Sequence, residues 1–455
     1  MKNSVSHFVQ SLRYEDIPAD VLTVMRRSLL DTIGVAAIGS TTRIAAITRQ
    51  FTSQHMSASE AGPRARILFS GQTASPVGSA MAGAFAIDSI DAHDGYSAVK
   101  GHAGSAVLPS VLAIVDALLQ QGTRVSSRDA LVALTIAYEV AYRSGLTLHA
   151  TTPDYHTSGA WTAVGVAAAG AKLLGLDEEG LRHAMGIAEY HGPRSQMMRC
   201  IDHPTMLRDG VGWGAPSGVA AAYLAALGFT GAPAITVESA EAEPFWADLG
   251  ERWEINNTHY KAYPVCRWAH PALDAAAELM SEHRLTSADI VRAQIKTFHY
   301  ATRLAGHEPK TLDELTYALA YPFAIMIVRG KIGPEELTES ILADPEILRI
   351  SHATEIVDSD HYTRISTTKR WADITLFLKD GREIQSSPRT PRGDPDNPLS
   401  DREMNDKFHA FADPVIGKTR AAEIEKLTAR IDDEHFDIRR LLDLIYDGRD
   451  AAAVP

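Results

Sequence analysis

The sequence is poor in cysteine: it contains only Cys200 and Cys266 among 455 residues. Two thiols cannot form the disulfide framework of a small secreted protein. They also cannot supply the three or four sulfur ligands of an iron–sulfur cluster or of a cysteine-rich zinc site. The scarcity of cysteine therefore excludes functions that depend on an iron–sulfur cluster or on a cysteine-rich zinc site held by this chain.

Long apolar runs and clusters of cations are also missing. Residues 1–20 are polar and charged, so we expect no signal peptide, and runs such as Val107 to Leu119 are too short to span a bilayer. Lys and Arg total 44 against 57 Asp and Glu, a formal charge of −13, which disfavours binding to a nucleic-acid backbone. We therefore expect a cytoplasmic protein that binds neither membranes nor nucleic acids, although a local basic pocket for a small anion is compatible with this net charge.

Most of the first half of the chain shows helical periodicity. Apolar residues recur at three- and four-residue spacing from Ile17 to about Gly231, and one such segment ends at Gly39, as helices often do. Two segments, Thr162 to Leu176 and Ser217 to Gly231, are rich in Ala and Gly and lack a polar face. We predict that they are buried helices with close neighbours.

The pattern changes in the second half of the chain. The segments Asp289 to Ala301 and Arg370 to Ser387 alternate apolar and polar residues, as strands do, and Asp380-Gly381 indicates a hairpin. Helical periodicity returns between them, from Leu312 to Arg329. This mixture is typical of an α+β domain.

A chain of 455 residues is too long for a single core. We predict a mainly α protein, with a large all-helical domain over residues 1–262 and a smaller α+β lid domain over residues 263–392. The charged, amphipathic tail of residues 393–455 is expected to return to the helical domain.

The first cluster of polar residues lies in DSIDAHDGYSAVKGHAGSAVLP, residues 88–109. It holds two carboxylates, Asp91 and Asp94, and two imidazoles, His93 and His102, in a loop before a strongly apolar helix. A carboxylate near an imidazole can tune a general base to neutral pH; the alternative is that these residues only cap the helix. His93, Asp94 and His102 also allow a metal-site interpretation, but such loop spacing is common by chance, and we predict no metal.

Two further polar loops precede the Ala/Gly-rich helices. PDYHTSGAWT places His156 just before natural N-cap residues, where a helix favours an anion, although a purely structural histidine is the competing interpretation. MLRDGVGWGAPSG places Arg208 similarly, and its glycine spacing does not match the dinucleotide fingerprint, so we expect no organic cofactor. Our hypothesis is that these loops converge.

A cationic segment, YKAYPVCRWAHPALDA, contains Lys261, Arg267 and His270 ahead of a helix. Cations in this arrangement suit a carboxylate substrate, whereas the competing interpretation is ordinary surface charge. Tyr317, in DELTYALAYPFA, is either a phenolic acid or a core residue of a helix. The partner expected from these residues is a small di- or tricarboxylate.

Along nearly the whole chain, the order and spacing of these segments resemble the MmgE/PrpD family. The resemblance implies a helical domain, a smaller α+β lid and a cleft between them in a homodimer. Members of that family include 2-methylcitrate dehydratase, cis-aconitate decarboxylase and iminodisuccinate epimerase, whose reactions are proton transfers beside carboxylates without a metal or an organic cofactor. The matching segments are LLDTIGVAAIG, DAHDG…GHAGSAVLPSVLA, YHTSGAW, AAAGAKLLGLDEEGL, SGVAAAYLAALGFTG, KAYPVCRWAHPALDA, LTYALAY and RGDPDNPLS.

The resemblance also assigns roles by position. The resemblance predicts five catalytic residues. They are the acidic residue Asp91, the two histidines His102 and His156, the lid lysine Lys261 and the helix tyrosine Tyr317. Substrate binding by Arg208, Arg267 and His270 is predicted instead from the cationic loops themselves.

Two departures from the family pattern matter for the function. Residues 93–96 read His-Asp-Gly-Tyr where the family has Asp-Asp-Thr, and the lysine ahead of the central helix is replaced by Leu207 and Arg208. We predict acid/base chemistry at the carbon next to a carboxylate, with dehydration of a 2-methylcitrate-like hydroxy polycarboxylate as the first hypothesis. Epimerisation of an iminodisuccinate-like dicarboxylate is the alternative, and a non-catalytic carboxylate-binding protein is the further alternative.

Overall fold

The computed structural model describes residues 4–304 and 306–448, and helices dominate it. Many helices begin at a side chain that caps them; Ser126, for example, accepts from the backbone N–H of Asp129 and starts the longest helix. The first twelve helices are α1 (Val5–Ser11), α2 (Ala19–Gly39), α3 (Arg43–His55), α4 (Pro76–Asp88), α5 (Gly104–Gln120), α6 (Ser127–Thr151), α7 (Gly159–Leu173), α8 (Glu178–His191), α9 (Met198–Asp202), α10 (Val211–Ala226), α11 (Ile235–Glu238) and α12 (Glu243–Trp246).

The second half of the described chain mixes helices with strands. A short antiparallel pair, β1 (Ala65–Arg66) and β2 (Thr73–Ala74), lies earlier, between α3 and α4. The later strands are β3 (Ile290–Thr297), β4 (Thr354–Asp358), β5 (Ala372–Leu378) and β6 (Glu383–Gln385). The later helices are α13 (His270–Glu282), α14 (His299–Thr302), α15 (Leu312–Thr316), α16 (Ala320–Arg329), α17 (Pro345–His352), α18 (Asp360–Ile365), α19 (Asp401–Ile416), α20 (Lys418–Thr428) and α21 (Ile438–Tyr446).

The four later strands form one mixed sheet in the order β4-β3-β5-β6. β3 runs parallel to β4, with Ile295 opposite Ile356, and antiparallel to β5, with Ile295 opposite Ile374. The predicted hairpin joins β5 to β6, and Gly381 takes the positive φ of 86° that its turn requires. The prediction of a mainly α fold with a smaller α+β part is confirmed.

Two apolar cores hold the described chain together. The larger core combines α1, α2, α4 to α8 and α10 with the C-terminal helices, so that Met25 and Leu131 belong to the same cluster as Phe408 and Leu442. The second core lies around the mixed sheet and α13 and α16. The domain boundaries at residues 262 and 392 stay a prediction, but the C-terminal helices do pack into the larger core.

One helical prediction needs correction. The segment Leu312 to Arg329 is not one helix, because α15 ends at Thr316 and α16 begins at Ala320. Tyr317 occupies the break, with φ −109° and ψ 21°. Its side chain therefore leaves the chain from a turn between two helices.

Among the described residues, none of the helices combines the length and the hydropathy that crossing a membrane requires.

The Ala/Gly-rich helices α7 and α10 are packed without space for larger side chains. A Cβ atom at Gly165 of α7 would lie 2.2 Å from the carbonyl oxygen of Ala137 in α6. A Cβ at Gly218 of α10 would lie 2.6 Å from the carbonyl oxygen of Ala163 in α7. These glycines let the backbones of three helices meet, and this contact sets the positions of the loops that precede α7 and α10.

Gly165→Ala is expected to destabilise the protein, although alanine favours a helix more than glycine does. The added methyl group must push α6 and α7 apart, and overpacking of this kind typically costs about 1–3 kcal/mol. We expect a clearly lower Tm in thermal unfolding. The matched control is Gly180→Ala in α8, where the nearest atom to the new Cβ, Leu176 Cβ, lies 3.2 Å away. Equal Tm values for the two variants would contradict the packing argument.

Candidate active site

A cleft lies between the two cores, with an empty volume of about 460 Å³ that includes its part open to solvent. Its walls come from the loop between α4 and α5 on one side and from the segments around Trp268 and Tyr317 on the other. Four of the predicted site residues line it: Asp91, His102, Arg267 and Tyr317.

Asp91 lies at the base of the cleft and is paired with Lys261. The Lys261 ammonium donates to Asp91 Oδ1 at 2.5 Å and to the Asp91 carbonyl oxygen at 2.9 Å. Both side chains are buried, and Lys261 is 0% exposed. Asp91 Oδ2 has no hydrogen-bond partner among the described residues. The carboxylate is therefore held by one oxygen while the other stays available to a ligand.

His93 lies behind this pair and is bound to carboxylates. Its Nε2 is 3.0 Å from Asp88 Oδ1 and 3.6 Å from Asp91 Oδ1. Ligand atoms of Asp91, His93 and His102 come within 4.8 Å of one another, but the Lys261 ammonium occupies Asp91 Oδ1 and Asp88 engages His93. Asp94, the third residue of the metal interpretation, is bound elsewhere. These residues fit a metal ion poorly, since the ion would have to displace a buried ammonium.

The hydrogen bonds of Asp94 identify its structural role. Its Oδ1 accepts from the backbone N–H of Gly104 at 3.0 Å, at the start of α5, and its Oδ2 accepts from Tyr138 Oη at 2.7 Å. Asp94 therefore fixes the loop to α5 and α6. This is the helix-capping role that was the alternative interpretation of this cluster. Its carbonyl oxygen has a further partner, His102.

His102 is held in one tautomer by that carbonyl. His102 Nδ1 lies 2.5 Å from the carbonyl oxygen of Asp94, which can only accept, so Nδ1 carries the proton and Nε2 carries the lone pair. Burial, helped by the charges of Lys261 and His93, lowers the pKa of His102 well below its usual range. His102 is therefore a neutral imidazole with a basic nitrogen in the cleft.

Asp209 is a carboxyl group near His102 that the sequence did not single out. Its Oδ2 lies 4.0 Å from His102 Nε2, and its Oδ1 accepts from the backbone N–H of Ser158 at 3.2 Å. Burial, followed by the negative charge of Asp88, raises the pKa of Asp209 well above its usual range. The backbone N–H and the hydroxyl of Ser158 both donate to this carboxyl group, so its position beside His102 is fixed.

Tyr317 faces the same cleft. Burial raises the pKa of its phenol well above the usual value, so the phenol keeps its proton. The Arg208 guanidinium lies over its ring at 5.5 Å from the centroid and donates to Thr316 Oγ1 and Asp313 Oδ1, both at 2.6 Å. Arg208 does not line the cleft; its contacts hold the turn that presents Tyr317.

The remaining cationic residues also have partners within the protein. Arg267 lines the cleft but donates to Asp394 Oδ1 at 2.6 Å and to the carbonyl oxygen of Arg392 at 2.9 Å. His270 is buried outside the cleft lining, with Nε2 3.1 Å from the Val265 carbonyl oxygen.

His156 is also outside the lining, although its neighbour Tyr155 is part of it. His156 Nδ1 lies 2.8 Å from the carbonyl oxygen of Asp154. The structure thus brings Asp91, His102, Arg267 and Tyr317 together, with Lys261 directly behind them. The roles of all eight predicted residues stay predictions.

Three basic side chains of the cleft were not predicted from the sequence: Lys100, His259 and Arg370. Lys100 lies in the first polar loop, two residues before His102, but was not singled out because surface lysines are common. His259 precedes the cationic segment, and Arg370 opens the strand-like segment that becomes β5. Burial, followed by the charge of Arg267, lowers the pKa of His259 well below its usual range.

A second buried ion pair supports the loop from behind. Lys407 of α19 lies with its ammonium 2.6 Å from Asp31 Oδ1 in α2 and donates to the carbonyl oxygen of Ala92 at 2.8 Å. Both side chains are almost fully buried. Helix α19 therefore contacts the backbone of Ala92, the residue after Asp91.

Known proteins resemble this chain over nearly its whole length. The family model of the MmgE/PrpD N-terminal domain matches residues 3–242, and the model of the MmgE/PrpD C-terminal domain matches residues 263–433. The cis-aconitate decarboxylase of Aspergillus terreus is 23% identical over 97% of this chain and 95% of its own length. The human cis-aconitate decarboxylase is 24% identical over 93% of this chain and 90% of its own length, and the mouse protein of the same name is 22% identical over 94% and 90%.

Lys407→Met is expected to lower the stability by about 3–5 kcal/mol, because it leaves the Asp31 carboxylate buried without a counter-charge. Thermal unfolding measures the loss. The double variant Asp31→Leu, Lys407→Met removes both charges and should recover much of it. Arg182→Met, which breaks the exposed pair with Glu238, is the control and should change the Tm little. A double variant no more stable than Lys407→Met would contradict the ion-pair argument.

Proposed function

The chain belongs to the MmgE/PrpD family, and we propose that it is a lyase that transfers a proton at the carbon next to a substrate carboxylate. The preferred reaction is dehydration of a 2-methylcitrate-like hydroxy polycarboxylate. The observation that carries this proposal is the neutral His102, whose Nδ1 is committed to the Asp94 carbonyl and whose Nε2 keeps its lone pair in the cleft. A general base of this kind acts at neutral pH without a metal or an organic cofactor.

The two halves of the elimination are assigned to different walls of the cleft. His102 Nε2 removes the proton from the carbon beside the carboxylate, and the electron pair left on that carbon moves into the carboxylate. The nearby charge of Lys261 stabilises the enediolate-like anion that forms. The electrons then return to form the carbon–carbon double bond as the neighbouring carbon–oxygen bond breaks. The Tyr317 phenol protonates the leaving hydroxyl, which departs as water.

Decarboxylation is the second candidate, because the similar proteins from Aspergillus terreus and human bear the name cis-aconitate decarboxylase. In that reaction, a carbon–carbon bond to a carboxylate breaks, carbon dioxide leaves, and an acid of the cleft protonates the resulting carbanion. The same Tyr317 phenol suits this step. Both reactions use residues that line the cleft or lie directly behind it.

One assay in D2O distinguishes these reactions. The purified chain is incubated with 2-methylcitrate, citrate, cis-aconitate and iminodisuccinate, and products are followed by NMR. Loss of water identifies a dehydratase, and carbon dioxide identifies a decarboxylase. Deuterium incorporation with inversion identifies an epimerase. Binding measured by calorimetry without exchange or turnover of any acid would contradict the lyase proposal and support a non-catalytic carboxylate-binding protein.

His102→Asn should lower kcat by about a hundredfold or more, because the amide cannot accept a proton as imidazole does. The matched control is His283→Asn, an exposed histidine at the end of α13, which should keep wild-type activity. The variant His156→Asn tests the second predicted histidine in the same assay. Wild-type kcat in His102→Asn would remove the base from the proposed mechanism.

The activity should also persist below the ordinary titration range of histidine. Because the pKa of His102 is lowered well below 6.5 by burial and by nearby positive charge, the imidazole stays neutral as the pH falls through 6.5. Protonation at still lower pH removes the base, so kcat/KM falls only there. The measurement is kcat/KM against pH on the best substrate. An acid limb with its midpoint at or above 6.5 is the result that would contradict this assignment.

A further inference from the structure

We propose that Lys100 and Arg370 form a carboxylate-binding subsite in the cleft, which holds a second carboxylate of the substrate while His102 acts at the other end. The inference rests on the proposed function, because it treats the cleft as the place where the substrate binds. It assigns the substrate to acids with at least two carboxylates and names residues that the resemblance did not supply.

The first observation is the environment of Arg370. Its guanidinium lines the cleft, and the residue is 7% exposed. It donates to the backbone carbonyl oxygens of Ser366 and Lys369, both at 3.1 Å, and of Ser97 at 3.3 Å. Among the described residues, no carboxylate lies within ion-pair distance of it. The guanidinium also lies over the Phe298 ring at 5.8 Å from the centroid, and the charge of Asp394 that acts on it belongs to a carboxylate already paired with Arg267. Arg370 is therefore a buried cation without an ion-pair partner of its own.

The second observation is that another unpaired cation lines the same cleft. Lys100 is half-buried, with its ammonium 5.5 Å from the centre of the Tyr155 ring, and none of the described carboxylates is paired with it. Burial, followed by the positive charge of Arg370, lowers the pKa of Lys100. The positive charges of Lys100 and Arg370 repel each other, and one bound anion would stabilise both.

The other buried cations around the cleft show how unusual this arrangement is. Lys261 is paired with Asp91, Arg267 with Asp394, Arg208 with Asp313 and Lys407 with Asp31. Each of these ion pairs is complete within the protein. Lys100 and Arg370 are the cations of the described cleft lining that have no ion-pair partner, and they are the ones free to bind an anionic ligand.

Backbone geometry ties this pair to the general base. Lys100 and His102 are separated by Gly101, where an added Cβ would lie 2.2 Å from Ser158 Oγ and 2.8 Å from the Trp161 ring. This tight packing fixes the direction in which Lys100 leaves the chain relative to His102. Arg370 comes from the opposite side, since it immediately precedes the β5 region of the second core. A carboxylate held by both cations therefore bridges the two sides of the cleft.

The subsite also accounts for the missing family lysine. Arg208, which stands near that position, is committed to Thr316 and Asp313 and does not line the cleft. The cations available for a substrate carboxylate are instead Lys100 and Arg370. Each charge-assisted hydrogen bond to a carboxylate is stronger than a bond between neutral groups, so loss of either cation should be measurable as weaker binding.

The test compares Arg370→Gln, Lys100→Gln and the matched control Lys369→Gln, whose exposed side chain pairs with Asp396. Binding of succinate, tricarballylate, propionate and inorganic phosphate to wild type and variants is measured by calorimetry. Wild type should bind the two polycarboxylates at least about tenfold more tightly than propionate. Each cleft variant should weaken polycarboxylate binding by about tenfold to a hundredfold and leave propionate binding within about twofold. Lys369→Gln should bind as wild type does.

Turnover is measured with the same variants on whichever acid of the D2O panel reacts. The expected result is a KM raised by the same factor with a much smaller change in kcat. Arg370→Lys, which keeps the charge, should recover part of the affinity, and it provides a readout if Arg370→Gln does not fold. Unchanged polycarboxylate binding in both Gln variants would overturn the subsite. Equal losses for Lys369→Gln, or a preference for phosphate over succinate, would also overturn it.

The two proposals fail in different ways. If no acid is turned over but polycarboxylate binding depends on Lys100 and Arg370, the lyase proposal fails and the subsite stands. If turnover depends on His102 but the Lys100 and Arg370 variants change neither binding nor KM, the subsite fails and the lyase proposal stands.

Discussion

The buried ion pair between Lys261 and Asp91 is the contact on which the site depends. It joins residues 170 positions apart in the sequence and lies where the segment leading into the second core meets the loop after α4. Removing an ammonium and a carboxylate from water costs several kcal/mol each, and this cost is offset only when the pair is in direct contact. Any movement that separates the two sides at this point leaves both charges buried and unpaired. The two sides of the cleft are therefore held together behind Asp91 by a hydrogen bond of 2.5 Å.

Burial lowers the pKa of the two cleft histidines, and this ion pair adds to the effect. The positive charge of Lys261 contributes to the lowered pKa of both His102 and His259. Asp94 then selects which nitrogen of His102 carries the proton, through its carbonyl, while its carboxylate fixes the loop to Tyr138. A neutral imidazole and a protonated phenol thus coexist at one site, because burial disfavours the charged form of each.

Local patterns were sufficient to predict the helices, the hairpin at Gly381 and the polar loops that form the site. Asp91 and His102 stood out because acids and imidazoles cluster ahead of an apolar helix, whereas the catalytic role predicted for Tyr317 came from the resemblance to the family. The partners were not predictable, since Asp313 for Arg208 and Asp394 for Arg267 lie more than a hundred residues away in sequence. For the same reason Lys100 and Arg370 were not predicted, because a cation is recognisable as unpaired only after every other carboxylate has been placed. Tyr317 was placed within a helix because a short turn between two apolar helical segments leaves the periodicity almost unchanged.

Several residues of the site have a strained backbone conformation. Among the described residues, five non-glycine residues have a positive φ, and three of them are Asp91, Lys100 and Arg208, with φ of 51°, 54° and 52°. Glycine would adopt this conformation at lower cost, and each such residue costs on the order of 1 kcal/mol. The cost is sustained because all three side chains serve the site. Asp91 receives Lys261, Lys100 faces the cleft, and Arg208 supports Tyr317. Two of these strained residues line the cleft and the third lies behind it, so the surrounding packing, and not local backbone preference, holds the geometry of the site.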